Sequence, residues 1–89
     1  MAREVVLSDQ AEAVIRKLPR NLQRQIIAKT EALATEPRPA GVKKLVGHQD
    51  LWRVRSGDYR IVYSIHDAVV LIVRVAPRGE AYRRLAPKR

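Results

Sequence analysis

The chemistry legible in this chain is carried by arginines at strand-like spacings. Arg53, Arg55, Arg60, Arg74 and Arg78 are followed, four residues after the last, by Tyr82. Arginine presents a permanently charged planar fork that matches phosphate oxygens and stacks on bases, but its pKa above about 12 bars it from proton transfer. Such a set can hold a phosphate and stabilise a pentacovalent transition state by oriented positive charge. The proton carrier must come from elsewhere. Tyr82, with an ordinary pKa near 10, is a poor base and a better acid or orienting group. His48 falls in a loop and His66 at a strand end beside a turn, so both read as surface residues, with His48 the one weighed as a contributor. Cysteine is absent, which removes disulfide scaffolds, zinc knuckles and thiol nucleophiles together.

These side chains need elements to position them. Arg3–Leu7, β-branched at its centre, predicts a first strand. Ser8 has the character of an N-cap, with Asp9 in the first helical turn where negative charge suits the dipole. Ala11, Val14, Ile15 and Leu18 recur at helical spacing, so residues 8–18 are expected to form an amphipathic helix. Pro19 ends it and opens the next, over residues 21–35, with Leu22, Ile26, Ala28/Lys29 and Leu33 at helical spacing. The stretch from Glu36 to Gly41 is the clearest loop.

Beyond that loop the period changes to 2. Residues 42–46 are a candidate strand. Residues 51–55 and 59–66 predict strands joined by the Ser56-Gly57-Asp58 turn. Residues 69–75, nearly all apolar, predict a central strand buried on both faces. Residues 79–86 predict a short terminal helix or an irregular tail. The expected fold class is α+β: an N-terminal strand, a two-helix hairpin and a mostly antiparallel three-stranded meander, in the order β-α-α-β-β-β, within a single domain spanning residues 1–89.

Alternation then sorts the side chains. Trp52 and Val54, and Tyr59, Ile61, Tyr63 and Ile65, should turn toward the helices. Arg53 and Arg55, with Arg60, Val62 and Ser64, fall on the opposite face. On the last strand Leu71, Val73 and Val75 form the better core set, leaving Arg74, Ala76 and Arg78 with the other arginines. Clustered guanidiniums cannot be buried without counter-charges, so this face is exposed or meets an anion. The competing account is a solvated sheet surface with intramolecular pairs to Asp50, Asp58 and Glu80.

The global charge agrees. The chain has 89 residues, 18 basic and 9 acidic, for a formal net charge of +9. Most of the excess lies after residue 40, which suits nucleic acid or an acidic protein segment as partner. Apolar residues make up 46%, enough for a packed core and too many for a disordered basic tail. No apolar run approaches a membrane span or a signal peptide, so a soluble, cytoplasmic protein is expected.

Three stretches together carry a family resemblance: residues 41–47 (GVKKLVG), residues 51–63 (LWRVRSGDYRIVY) and residues 71–75 (LIVRV) followed by Pro77, Arg78 and Tyr82. The chain resembles the RelE/ParE toxin superfamily of type II toxin–antitoxin modules over nearly its whole length. The R-x-G-D-Y-R-[IV]-x-Y stretch is the most specific part. Its RelE branch implies a ribosome-dependent mRNA endoribonuclease that enters the decoding site and inhibits translation. There the ribose 2′-OH attacks the adjacent phosphate and leaves a 2′,3′-cyclic phosphate, with no metal or other cofactor. Carried over residue by residue, the resemblance implies Arg60 and Arg78 at the charged transition state and leaving oxygen, Arg53 and Arg55 on phosphates, and Tyr82 stacked on the base. Lys43, Lys44, Arg74 and Arg83 are the further positions expected to bind RNA.

Two departures stand out. Many relatives carry His before the C-terminal arginine, where this chain has Pro77, and some carry Lys in place of Arg53 and Arg55. The resemblance also implies an acidic, RelB-like antitoxin as partner, with a heterotetramer among the assemblies open to it, alongside mRNA and the ribosome. ParE-type toxins share the fold but block DNA gyrase without cleaving RNA. A DNA-binding repressor ranks third, for want of a helix-turn-helix pattern.

Overall fold

A computed structural model describes residues 2–45 and 50–79. In it, β1 (Glu4–Leu7), α1 (Asp9–Arg16) and α2 (Arg20–Ala32) precede β2 (Lys43–Lys44), β3 (Trp52–Ser56), β4 (Tyr59–Ile65) and β5 (Val69–Pro77). The strands form one sheet in the order β1-β5-β4-β3-β2. β1 runs parallel to β5, and every other pairing is antiparallel. The α+β class and the element order are those expected, with the meander extended at its edge by the short β2. Among the described residues, no helix is long and apolar enough to cross a membrane. The expected C-terminal helix or tail falls almost wholly in residues 80–89, outside the described residues.

Ser8 caps α1, its Oγ accepting from the Ala11 amide at 3.1 Å. The same hydroxyl donates to the Val73 carbonyl at 2.6 Å, which ties the start of the helix to β5. At the other end Gln23 reaches back from α2, its Nε2 donating to the carbonyls of Ile15 at 2.8 Å and Arg16 at 3.1 Å. These bonds satisfy carbonyls that a helix end leaves without partners. The tight β3–β4 connection is Gly57-Asp58. Gly57 takes φ +60° and Asp58 does not, the pattern of a II′ turn with glycine first.

The helices cover one face of the sheet. Ala11, Ile15, Ile26 and Leu33 meet Val54, Ile61, Tyr63, Val70, Ile72 and Val75, all buried. Burying each of the larger aliphatic side chains contributes about 1.5–3 kcal/mol. β4, not β5, is the strand buried on both faces, because it lies in the middle of the sheet.

In β5 the expected core set is corrected. Val62 pairs with Arg74 while the next residue, Tyr63, pairs with Ile72, so Val73 is an extra residue at a bulge. A bulge reverses the parity of everything before it relative to everything after it. Val70 and Ile72 therefore join Val75 in the core, and Leu71 and Val73 are only half-buried. Past the end of β1, side chains of the α1 N-terminus take over as the neighbour of β5. Gln10 binds Val75 at both backbone atoms, its Nε2 donating to the carbonyl at 3.1 Å and its Oε1 accepting from the amide at 3.0 Å.

Candidate active site

Residues paired directly across antiparallel strands share a face, with Cβ atoms about 4.5–5.5 Å apart. Two such rows form the face away from the helices. One runs Lys43–Arg53–Val62–Arg74 and the other Arg55–Arg60–Ala76. Arg78 follows Ala76 by two residues, and its amide donates to the Asp58 carbonyl at 2.9 Å, which fixes the end of β5 against the β3–β4 turn. The bulge at Val73 preserves this set: Arg74 and Arg78 lie beyond it, in step with Arg60.

The arginines are not equally open. Arg55 and Arg78 are exposed and Arg53 and Arg74 half-buried, whereas Arg60 is only 8% exposed. Val62 and Ser64 on the same face are buried too. Val62 is flanked in its row by Arg53 and Arg74, both half-buried. The Nε of Arg74 is buried with no partner among the described residues.

A cleft of about 560 Å³ opens at this face. Its lining includes Lys43, Arg53, Arg55, Arg60 and Arg78, and also Lys29 from α2, with no carboxylate among the described residues that line it. Arg55 stands directly opposite Arg60, a like-charge pair that is destabilising without an anion between or above it. Among the described residues the ion pair present is Arg16–Glu12, on exposed α1. The cleft is therefore built to receive negative charge, and its low-dielectric walls focus that field.

Of the positions singled out from the sequence, the structure gathers Lys43, Arg53, Arg55, Arg60 and Arg78 around the cleft, with Arg74 next to them in the first row. It does not bring Lys44 there. Lys44 pairs with Trp52 on the helix-side face, with its Nζ 5.7 Å from the indole centroid. Arg38 covers the same ring at 5.1 Å. His66 is exposed and bonds Ser64 at 2.9 Å. It stands six residues up β4 from Arg60, roughly 20 Å at strand rise. Tyr82, Arg83, Glu80 and His48 lie outside the described residues.

Lys29 was missed as a site residue, although a signal was present. It interrupts the inward stripe of Leu22, Ile26 and Leu33, where an apolar side chain is expected. The wall beside it is the loop Pro37–Gly41. Gly41 takes φ +87° there, a conformation that favours glycine. The Tyr63 hydroxyl donates to the Pro37 carbonyl at 2.6 Å and pins this loop to the sheet. Burial pushes the Tyr63 phenol up to about 12, opposed in part by the Arg38 charge.

Chemically, the cleft can bind phosphates and stabilise charge that develops on them. Among the described residues that line it, none is His, Asp, Glu or Tyr. Among the described residues no group of three potential metal ligands occurs.

Comparisons with known proteins place this geometry. The family model for the ParE toxin of type II toxin–antitoxin systems matches residues 5–82. Several of the solved structures it resembles are RelE toxins, alone or with RelB. The archaeal RelE–RelB complex from Pyrococcus horikoshii is 35% identical, with a TM-score of 0.77 over 91% of this chain and 100% of that one. The RelBE2 toxin–antitoxin complex of Mycobacterium tuberculosis is 27% identical, with a TM-score of 0.76 over 88% of this chain and 100% of that one. A double arginine-to-alanine mutant of Escherichia coli RelE in the free state is 28% identical, with a TM-score of 0.74 over 97% of this chain and 100% of that one. No curated protein sequence matches. By sequence over residues 5–82 and by fold over most of its length, the chain belongs to the RelE/ParE superfamily of toxins of type II toxin–antitoxin modules.

Proposed function

We propose that this toxin is a metal-independent endoribonuclease that cleaves mRNA in the ribosomal decoding site. The observation that carries the reading is the basic cleft where Lys43, Arg53, Arg55, Arg60 and Arg78 converge, with no acid among the described residues that line it. In the reaction the ribose 2′ oxygen bonds to the adjacent phosphorus as the bond to the 5′ oxygen breaks. The 2′ proton passes to a base and a proton reaches the leaving oxygen. The product is a 2′,3′-cyclic phosphate. Arg60 and Arg78 offset the extra negative charge of the phosphorane and the leaving oxygen. Arg53 and Arg55 hold the flanking phosphates, with Lys43 and Arg74 beside them. Tyr82 stacks on the base, worth about 1–3 kcal/mol, and Arg83 adds a phosphate contact. With His replaced by Pro77 and Lys by Arg53 and Arg55, much of the rate derives from how the ribosome positions the 2′-OH for in-line attack.

The partner that neutralises it is an acidic, RelB-like antitoxin, with a heterotetramer as one form of the complex. Support comes from the related RelE–RelB complexes and from the positive surface. Toxin, mRNA, ribosome and antitoxin meet in the cytoplasm. Primer extension on translating ribosomes tests the reading: codon-site cleavage is expected, and arrested translation with intact mRNA overturns it. The match to the ParE family model favours a second reading, a gyrase inhibitor that cleaves no RNA. That reading predicts accumulation of gyrase cleavage complexes with mRNA intact.

A further inference from the structure

The cleft does not stop at the sheet face. β2 pairs with Trp52 and Arg53, so from Val54 onward no strand among the described residues lies beside the outer edge of β3. Leu45 donates to the Leu51 carbonyl, and ladder alternation therefore turns the amide and carbonyl of Arg55 outward along the same edge. The cleft passes around this edge and is closed on the far side by Lys29 of α2 with Ala40 and Gly41. A Cβ built on Gly41 would meet nothing within 4 Å, so this wall leaves clearance for a chain.

Lys29 sits on the inward stripe of α2 between buried Ile26 and Leu33, and is half-buried. A lysine can occupy such a position simply by extending its stem to solvent. This one lines a cleft with four arginines and another lysine and, among the described residues, no carboxylate, a placement that an anion makes favourable. Arg78, at the end of β5, stands two strand spacings, about 10 Å, from β3. Lys29 comes from α2 and Arg78 from the end of β5, so the two enter the cleft from different elements, an arrangement suited to successive phosphates of one strand.

We propose that Lys29 holds a second backbone phosphate of single-stranded RNA, leading the strand around the open edge of β3 between α2 and the sheet. The assignment rests on the ribonuclease reading. It gives Lys29 a compact, hydrated charge for a non-bridging phosphate oxygen and assigns it no proton transfer.

Fluorescence anisotropy with a short single-stranded RNA, without ribosomes and over a range of salt, tests it. Each phosphate contact contributes about 0.7 to the log–log salt slope, so Lys29→Met should flatten the slope by about 0.7 and weaken binding about fivefold at 0.1 M salt. Lys29→Arg should restore both. Arg24→Met, at an exposed position on the same helix outside the cleft, should change neither by as much. Thermal unfolding of each variant shows that the fold is retained. Unchanged RNA binding by Lys29→Met, or failure of Lys29→Arg to restore it, overturns the assignment while weakened binding by Arg53→Ala keeps the ribonuclease reading standing. If wild type neither cleaves nor binds RNA, both fall.

Discussion

Replacing Gln10 with alanine should destabilise the protein and disturb its cleft from the opposite side of β5. Two hydrogen bonds, at 3.0 and 3.1 Å, join the Gln10 amide to the backbone of Val75. Val75 is fully buried. Each bond contributes about 0.5–1.5 kcal/mol net, and a backbone group left without a partner costs about 1–3 kcal/mol more where water cannot reach it. Gln10 itself is half-buried, so water relieves part of that cost. Alanine gains a few tenths of a kcal/mol in helix propensity. The net loss is about 2 kcal/mol. For a domain of this size each kcal/mol lowers Tm by about 4–8 °C, which gives a fall of roughly 8–16 °C. Circular dichroism during heating measures it. Hydrogen exchange localises it, since the Val75 amide should lose protection relative to that of Ile61, its partner on β4. A variant melting within about 2 °C of wild type, with Val75 still protected, would refute the idea that Gln10 substitutes for a strand along β5. Because Val75 adjoins Arg74 and precedes Arg78 by three residues, RNA cleavage at a temperature where the variant is folded should also fall.

Tyr63→Phe should cost about 1–2 kcal/mol at neutral pH by leaving the Pro37 carbonyl without its donor. The raised Tyr63 value also fixes a sign. Its neutral form contributes stability that is fully present below pH 10 and is lost as pH rises through about 12, so alkaline titration monitored by Tm should be steeper in wild type than in Tyr63→Phe. Arg78→Ala should abolish ribosome-dependent cleavage without altering Tm, because Arg78 is exposed; a soluble, fully toxic variant would remove it from the site. Rising sodium chloride should raise Tm by screening the self-repelling cleft, and sulfate should raise it further at equal ionic strength by binding there. Identical melting in both salts would argue against an anion site.

Local patterns made much of the fold legible in the chain itself. The oxygen of Ser8 before a helical period and the shift from period 3.6 to 2 act over a few residues, and each appears where expected; the hairpin turn is also in place, although Ser56 belongs to β3 and the loop is Gly57-Asp58 alone. That Arg53, Arg55 and Arg60 share a face was legible for the same reason, because side chains alternate along each strand; the register that sets Arg55 opposite Arg60 comes from the two-residue loop. Alternation across that turn is enough to place them on one face.

What tertiary structure alone decided involves partners distant in the chain. Arg74 and Arg78 belong with the other arginines, but the core set before them is Val70 and Ile72, because an extra residue at Val73 reverses the parity. Ser8, 65 residues away in sequence, donates to the Val73 carbonyl at that bulge, and Gln10 takes the backbone of Val75 where β1 has ended. Lys43 and Lys44 look equivalent in sequence and part to opposite faces, because one pairs with Arg53 and the other with Trp52. Lys29 reads as a flaw in a helix stripe until β2 ends early and lets the cleft reach α2. The order of residues along the chain sets which charges exist and which short segments carry them. Only the packing of helix against sheet determined which of those charges share one cavity, since a side chain's face depends on pairings that no local period contains.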